Sequence, residues 1–209
     1  MPEPDYLKPY QDALREHGPG FEATLWRNEE YQAKRFAVIA DLLGDPLGQI
    51  ADMGCGRADL LVHLVTIGCG FKRYVGIEGV PEMLAHCQEQ YGDRRDCAWL
   101  TADFVADEDL FKTVAADGVD TFVFSGSLNT MSEATAIEVV RRASASGRVV
   151  FNFLSTELYE QPDGPDGPVP GDPANRFDKA TILAACRGFG DVKTREGYLP
   201  SFDVTVRIV

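Results

Sequence analysis

Short apolar segments alternate with amphipathic helical segments along most of this chain, and this pattern constrains the fold more than any other feature. Each apolar segment is hydrophobic throughout, which is typical of strands that are buried on both faces of a sheet. The alternation therefore predicts a parallel sheet that is covered by helices on both sides. The predicted strands are 49–53, 74–78, 97–101, 119–124 and 148–154.

The predicted helices have recognisable first residues. Asn28 is a good N-cap, and the two glutamates that follow it suit the positive end of the helix dipole. Pro81 suits the first turn of the helix after the second strand, and Ser132 caps the helix after the fourth. A chain of 209 residues fits one domain, which we divide into an N-terminal helical cap (1–46) and a core (47–209).

Residues 155–177 break this alternation. The segment is rich in Pro, Gly and Asp and is too long for an ordinary connection, which predicts either a functional lid or disorder. A helix is predicted over 178–186 and a strand over 192–196. The final segment, 204–209, alternates apolar and polar residues, which predicts a half-exposed antiparallel strand at the end of the sheet.

The charge balance excludes some classes of partner. Lys and Arg number 20 and Asp and Glu number 33, so the formal net charge is −13. Nucleic acids and anionic membranes both attract proteins that carry an excess of cations. We therefore expect a small-molecule substrate and neither a nucleic acid nor a membrane as partner. The sequence leaves the oligomeric state open.

The cysteines and histidines indicate the compartment and the absence of a metal site. The five cysteines are widely spaced and include no CxxC pair, which indicates reduced thiols rather than a secreted disulfide framework. The first residues contain no apolar leader, and no segment approaches the length of a membrane helix. The three histidines are scattered, so no zinc-type cluster is predicted. These features predict a cytoplasmic protein.

The segment over residues 50–59 is the strongest indication of chemistry. A predicted strand ends near Asp52, and Gly54 and Gly56 follow just before a helix begins. Glycines at such a junction permit a tight turn and let a ligand approach the backbone closely. The ligand would lie at the carboxyl end of the strand, where a doubly wound sheet reverses its direction.

Two classes of nucleotide cofactor compete for a loop of this kind. Dinucleotide-binding folds use GxGxxG and bind the pyrophosphate at the helix N-terminus, but Asp59 stands where the third glycine belongs. Asp52 and Asp59 bracket the loop with negative charge, which would repel a pyrophosphate. A ligand with an amino group and a sulfonium, and without phosphate, fits better. S-adenosylmethionine is such a ligand.

The ends of the next three strands carry further candidate ligand-binding residues. Glu78 lies 22 residues after Gly56, where an acid can accept hydrogen bonds from both ribose hydroxyls of either cofactor class. Asp103 is placed to accept from an adenine amino group, and Phe104 to cover the ring. Small residues and Asn129 follow the fourth strand, and they suit the part of a binding site that lies close to a reacting methyl group.

These segments resemble the motifs of class I S-adenosylmethionine-dependent methyltransferases. ADMGCGRA resembles their glycine motif, with Ala58 in place of the common third glycine. YVGIEGVPEML resembles the second-strand motif with its ribose acid, and LTADF resembles the adenine motif. The resemblance covers 35–155 by motif, and the preface WRNEEYQAKRF is similar to one in small bacterial members of unassigned substrate. It implies a Rossmann-like α/β sandwich with a mostly parallel seven-stranded sheet, an antiparallel terminal strand and helices on both faces.

The residues and the resemblance together define a predicted site. An N-terminal arginine often meets the cofactor carboxylate in such enzymes, and Arg35 or Arg27 is the candidate here, although a charge on a helix surface explains either one equally well. We expect Asn129 to orient the acceptor and the acceptor site to be lined by Trp26, Tyr31 and Tyr159. The predicted cofactor-binding residues are Asp52, Met53, Gly54, Cys55, Gly56, Glu78, Gly79, Asp103, Phe104 and Ser125.

Several departures from known subclasses narrow the prediction. No Asn/Asp-Pro-Pro-Tyr/Phe segment follows the fourth strand and no Pro-Cys dipeptide exists, which argues against amino-methylating and cytosine-C5 DNA enzymes. Ser125 and Ser127 stand where a metal-dependent catechol-type enzyme would have acids, so no metal is predicted. The sequence therefore predicts in-line methyl transfer to a small acceptor. A non-catalytic binder of S-adenosylmethionine and an NAD-linked oxidoreductase remain as alternatives.

Overall fold

The computed structural model describes residues 5–44, 47–157, 173–199 and 203–209. Residues 5–44 form α1, a 3₁₀ turn and α2, and strands and helices then alternate as far as β5. The elements are α1 (Lys8–His17), the 3₁₀ turn (Phe21–Thr24), α2 (Glu29–Leu43), β1 (Leu47–Met53), α3 (Asp59–Thr66), β2 (Phe71–Glu78), α4 (Pro81–Tyr91), β3 (Cys97–Thr101), α5 (Leu110–Ala116), β4 (Thr121–Phe124), α6 (Glu133–Ser144), β5 (Arg148–Leu154), α7 (Lys179–Arg187), β6 (Val192–Glu196) and β7 (Asp203–Ile208).

The strands form a single sheet in the order β3-β2-β1-β4-β5-β7-β6. The pairs among β1 to β5 are all parallel, and β7 is antiparallel to both β5 and β6. The predicted seven-stranded, mostly parallel sheet with an antiparallel terminal strand is therefore confirmed. The strand order reverses between β1 and β4, which places a topological switch point beside the glycine loop.

Alternate residues of the central strands pack on opposite faces of the sheet. Ile50 and Val123 pack with α2, α3 and α4 in one apolar cluster, and Ala51 and Phe122 pack with α5, α6 and α7 in the other. The predicted helices on both faces are thus confirmed. This sandwich fixes the carboxyl ends of the five parallel strands along one edge of the sheet.

The position predicted for the last strand is wrong. The alternation over 204–209 indicated a half-exposed strand at the end of the sheet, but β7 lies between β5 and β6 and is almost entirely buried. Thr205 is buried because it has a partner, with 2.7 Å between its hydroxyl and that of Tyr198, and the half-buried Arg207 donates to the carbonyl of Leu42 at 3.4 Å. Polar residues at every second position here mark internal hydrogen bonds rather than a solvent face.

The N-terminal helix was not predicted. Leu7, Tyr10 and Leu14 repeat at helical spacing and Pro9 lies in the first turn, so the signal was present among the polar residues around it. The ends of the long connection are tied by a bridge between Ser155 and Phe177. The prediction of a lid falls largely on residues 158–172, which lie outside the described residues. Within the described part of the chain, no helix is both long and apolar enough to cross a membrane.

Candidate functional site

The carboxyl ends of β1, β2, β3 and β4 open into one cleft of about 1470 Å³, a volume that includes its mouth. The cleft brings together most of the predicted site residues. Met53 is an exception, because its side chain is fully buried in the apolar core. Tyr159 lies outside the described residues. The predicted residues that line the cleft are Trp26, Arg27, Tyr31, Arg35, Asp52, Gly54, Cys55, Gly56, Glu78, Gly79, Asp103, Phe104, Ser125 and Asn129.

The glycine loop between β1 and α3 folds back onto β2. The amides of Gly54 and Cys55 both donate to the carbonyl of Ile77, at 2.7 and 3.0 Å. Gly54 has φ +76°, and a Cβ there would lie 2.6 Å from the Cβ of Ser127. Only glycine can adopt this left-handed backbone conformation without a clash with Ser127. Ala58 has φ +62°, so the alanine in the third glycine position keeps the left-handed conformation.

Glu78 joins the glycine loop to the end of β2. One carboxylate oxygen accepts the amide of Gly56 at 2.9 Å, and the other accepts the amide of Val80 at 2.9 Å. The side chain is only 8% exposed, and this burial raises its pKa although the backbone hydrogen bonds oppose the shift. Each carboxylate oxygen retains a lone pair that can accept from a ligand hydroxyl.

Asp52 places a second buried carboxyl beneath the loop. It is 2% exposed and accepts the hydroxyl of Tyr74, which is itself buried in the sheet. Burial raises the pKa of Asp52 to about 7, with smaller contributions from the negative charges of Glu78 and Asp59 and an opposing one from Tyr74. A cation bound nearby would favour the ionised form, whereas a phosphate would oppose it.

Asp103 caps the turn after β3. One of its carboxylate oxygens accepts the amides of Val105 and Ala106, at 2.9 and 3.1 Å, and the other accepts the hydroxyl of Tyr6 at 2.6 Å. Phe104 lines the cleft with one part of its ring and packs edge-on against the core ring of Phe124, with 5.5 Å between centroids. The end of β3 is therefore held in place, and the carboxylate is shared between the turn and Tyr6, which precedes α1.

Polar atoms without protein partners lie after β4. Among the described residues, the buried Oγ of Ser125 and the buried Oδ1 of Asn129 have no hydrogen-bond partner. Both residues line the cleft, and buried polar atoms in native proteins are almost always satisfied. Ser127 differs, because its hydroxyl donates to the carbonyl of Met53 at 2.6 Å. The pair of unpartnered oxygens at the cleft wall is the arrangement expected where a ligand supplies the partner.

The N-terminal segment forms a wall of the cleft that the sequence analysis missed. Tyr6 and Tyr10 line the cleft from the α1 region, and Leu7 packs so closely on Gly79 that a Cβ there would lie 3.1 Å from Leu7. Leu25, which has φ +58°, also lines the cleft as part of this wall. The helical spacing of the apolar residues in α1 could have revealed this wall, but the strained conformation of Leu25 has no sequence signal.

Arg35 is engaged within the protein. Its guanidinium forms a bidentate ion pair with Asp203 of β7, with 2.8 Å between Nη2 and Oδ2. The other candidate, Arg27, is exposed at the cleft. The role of either arginine toward a cofactor carboxylate stays a prediction.

The described residues contain no group of three His, Cys, Asp or Glu side chains that could hold a metal ion. All five cysteines are free thiols. The hydrogen bond with the neighbouring thiol of Cys87 and, next to it, burial raise the pKa of Cys55, which opposes a thiolate nucleophile at this position. The groups that line the cleft are therefore carboxylates, backbone amides, neutral polar side chains and arginines rather than a thiolate or a cluster of metal ligands in the described part of the chain.

Comparisons with known proteins define the fold. No protein-family model matches the chain, and no curated protein matches its sequence. Magnesium protoporphyrin IX methyltransferase (ChlM) from Synechocystis PCC 6803, solved with bound SAM, has a TM-score of 0.61 at 14% identity over 96% of this chain and 97% of that one. The N-methyltransferase NodS from Bradyrhizobium japonicum WM9, in complex with S-adenosyl-L-homocysteine, has a TM-score of 0.63 at 12% identity over the same shares.

A third similar structure is the N-terminal domain of EvdMO1 with SAH bound, with a TM-score of 0.62 at 15% identity over 90% of this chain and 84% of that domain. These identities are low, so the likeness concerns the fold. The chain has the class I methyltransferase fold.

Proposed function

We propose that this protein is an S-adenosylmethionine-dependent methyltransferase that acts on a small-molecule acceptor. The observation that carries the proposal is the buried carboxylate of Glu78, which joins the glycine loop to the end of β2 inside the cleft. An acid at this place accepts ribose hydroxyls. The buried carboxyl of Asp52 beside it favours a cationic ligand over a diphosphate, which speaks against NAD.

The residues of the cleft fit this cofactor. Glu78 would bind the ribose, and the turn held by Asp103, with Phe104 beside it, would bind the adenine. The glycine loop would admit the methionine part close to the backbone. The unpartnered Ser125 and Asn129 oxygens would meet ligand donors at the end of β4. The three similar structures described above were solved with this cofactor or its demethylated product, which supports the same assignment.

The cofactor would supply an activated methyl group that leaves its sulfonium by in-line displacement. The work left to the protein is to align the acceptor and to exclude water. Asn129 would orient the acceptor by a hydrogen bond. Trp26 and Tyr31 would form its wall, together with Pro173 and Arg176 at the C-terminal end of the long connection, which also line the cleft.

A small acceptor fits the surface charge and the cleft. The formal net charge of −13 opposes nucleic acids as substrates. The aromatic and aliphatic side chains of the N-terminal wall suit a compact molecule enclosed by the cleft.

Calorimetry with three ligands tests the proposal. We expect S-adenosylmethionine and S-adenosylhomocysteine to bind and NAD to give no heat. Tight binding of NAD without either adenosyl ligand would favour an oxidoreductase and would overturn the proposal. Incubation with methyl-labelled cofactor and a metabolite extract tests catalysis, and we expect label to enter an extract component. Binding without any such transfer would favour the non-catalytic alternative.

A further inference from the structure

Trp26 is held on several sides at the cleft. The guanidinium carbon of Arg35 lies 4.7 Å from the centroid of its ring, and the ring of Phe36 meets it edge-on at 6.3 Å. A Cβ on Gly126 would lie 2.8 Å from Cζ2 of the indole. The indole therefore lies directly against the backbone at the end of β4. Ser125 and Asn129 open onto the cleft from the same segment.

The arginine that stacks on Trp26 is itself fixed by a buried partner. Arg35 of α2 and Asp203 of β7 are 5% and 1% exposed and form a bidentate pair. Removing two charges from water is costly, so such a pair is weak evidence for stability. Its geometric effect is stronger, because two hydrogen bonds fix the guanidinium in place over the indole, 4.7 Å from the ring centroid.

We propose that Arg35 and Asp203 act as a positioning pair that holds Trp26 as the wall of the acceptor half of the cleft. The inference rests on the proposed methyl transfer, in which the protein must align the acceptor with the methyl group. Arg35 acts through the indole rather than through the reacting atoms. A displaced indole would leave the nucleoside half of the cleft intact, because that half is built from β2, β3 and the glycine loop.

The fluorescence of Trp26 gives a direct readout. The chain has two tryptophans, and Trp99 of β3 packs against Tyr74 and Tyr91 in an apolar cluster rather than in the cleft, so Trp99→Phe isolates the Trp26 signal. In that background we expect Arg35→Lys and Arg35→Met to shift the emission to the red and to increase quenching by acrylamide. Lysine keeps the charge but cannot keep the planar, bidentate contact.

A matched variant separates positioning from loss of stability. Arg148 donates to the hydroxyl of Thr121 and to the carbonyl of Leu43 at the amino end of the sheet, away from the cleft. Arg148→Met should lower the midpoint of unfolding without changing the emission or quenching of Trp26. Loss of the Trp26 signature in Arg148→Met, or its retention in both Arg35 variants, would overturn the proposal.

The second readout is methyl transfer to the metabolite extract from labelled S-adenosylmethionine. At saturating S-adenosylmethionine, we expect Arg35→Lys to need about tenfold more extract than the parent for half-maximal labelling, because a displaced wall misaligns the acceptor. An unchanged extract requirement would contradict the positioning role. If the parent neither binds S-adenosylhomocysteine nor labels the extract, the proposed function fails, while the fluorescence result still decides whether the pair positions Trp26.

Discussion

Glu78 has two roles that a single carboxylate can combine. It holds the amides of Gly56 and Val80, which fixes the glycine loop against β2, and it offers its remaining lone pairs to the cleft. A ligand that binds this carboxylate therefore meets a loop that is already in place. Preorganisation of this kind lowers the entropic cost of binding.

The variant Glu78→Gln tests both roles. The amide side chain has one oxygen, so one of the two backbone amides would face a donor instead of an acceptor. We expect the affinity for S-adenosylhomocysteine to fall by about 1–3 kcal/mol, measured by calorimetry. Glu82→Gln is the matched control, because Glu82 lies exposed in the first turn of α4. Equal affinities of the two variants would remove Glu78 from the site.

Asp52 makes the stability depend on pH in a defined direction. Burial raises the pKa of its carboxyl from 3.8 to about 7, so the folded protein holds this proton more tightly than the unfolded chain does. As pH rises from about 4 to 7, the unfolded chain releases the proton first, and this group destabilises the fold increasingly.

The variant Asp52→Asn should abolish that contribution while still accepting the hydroxyl of Tyr74. We expect the difference in the free energy of unfolding, variant minus wild type, to increase by up to roughly 4 kcal/mol between pH 4 and pH 8. Urea unfolding at several pH values measures this difference. A difference that does not change with pH, or that decreases, would show that Asp52 is ionised throughout.

At the scale of elements, the glycine loop depends on a left-handed residue in a crowded place. Gly54→Ala should cost the left-handed strain of about 1–2 kcal/mol and, in addition, a clash with Ser127. Gly44→Ala is the matched control, because Gly44 has φ +77° and no neighbour within 4 Å of the added Cβ. Chemical unfolding should show the larger loss for Gly54→Ala. Equal losses in the free energy of unfolding would mean that the glycine loop accommodates the added Cβ beside Ser127 without further cost.

The ends of several strands were predictable even where their burial was not, since β3, predicted to be buried on both faces, is a partly exposed edge strand, as is β6. The strand boundaries of β3, β5 and β6 agree with the sequence prediction because apolar residues or turn formers mark both ends. The place of β7 was wrong because periodicity does not show the hydrogen bonds that Thr205 and Arg207 make with Tyr198 and Leu42, the second of which spans 165 positions. The wall formed by α1 was missed because few apolar residues stand among many polar ones.

The candidate site, like the strands and helices, could be predicted from the sequence only in part. The residues at the strand ends, such as Asp52, Glu78 and Asp103, could be named because the fold brings all parallel carboxyl ends to one edge. The partner of Arg35 could not, because the two residues of that ion pair are 168 positions apart. Contacts of that range depend on the packing of the complete sheet.

At the scale of the whole molecule, the Arg35–Asp203 pair connects α2 to the last strand through the interior. Asp203→Asn would leave a buried guanidinium without its counter-charge, and we expect a loss of about 3–5 kcal/mol in the free energy of unfolding. Asp41→Asn is the control, because the ion pair of Asp41 with Arg195 also joins α2 to a late strand but is exposed, and should cost about 0–1 kcal/mol. Similar losses in urea unfolding would contradict the interior role of the first pair.

The most direct test is a crystal structure of the protein grown with S-adenosylhomocysteine. We expect the ligand in the cleft, with both ribose hydroxyls within hydrogen-bond distance of the Glu78 carboxylate, the adenine beside Phe104 and the sulfur toward the end of β4. Crystals in which the cleft stays empty at saturating ligand, or in which the ribose lies away from Glu78, would contradict the proposed function.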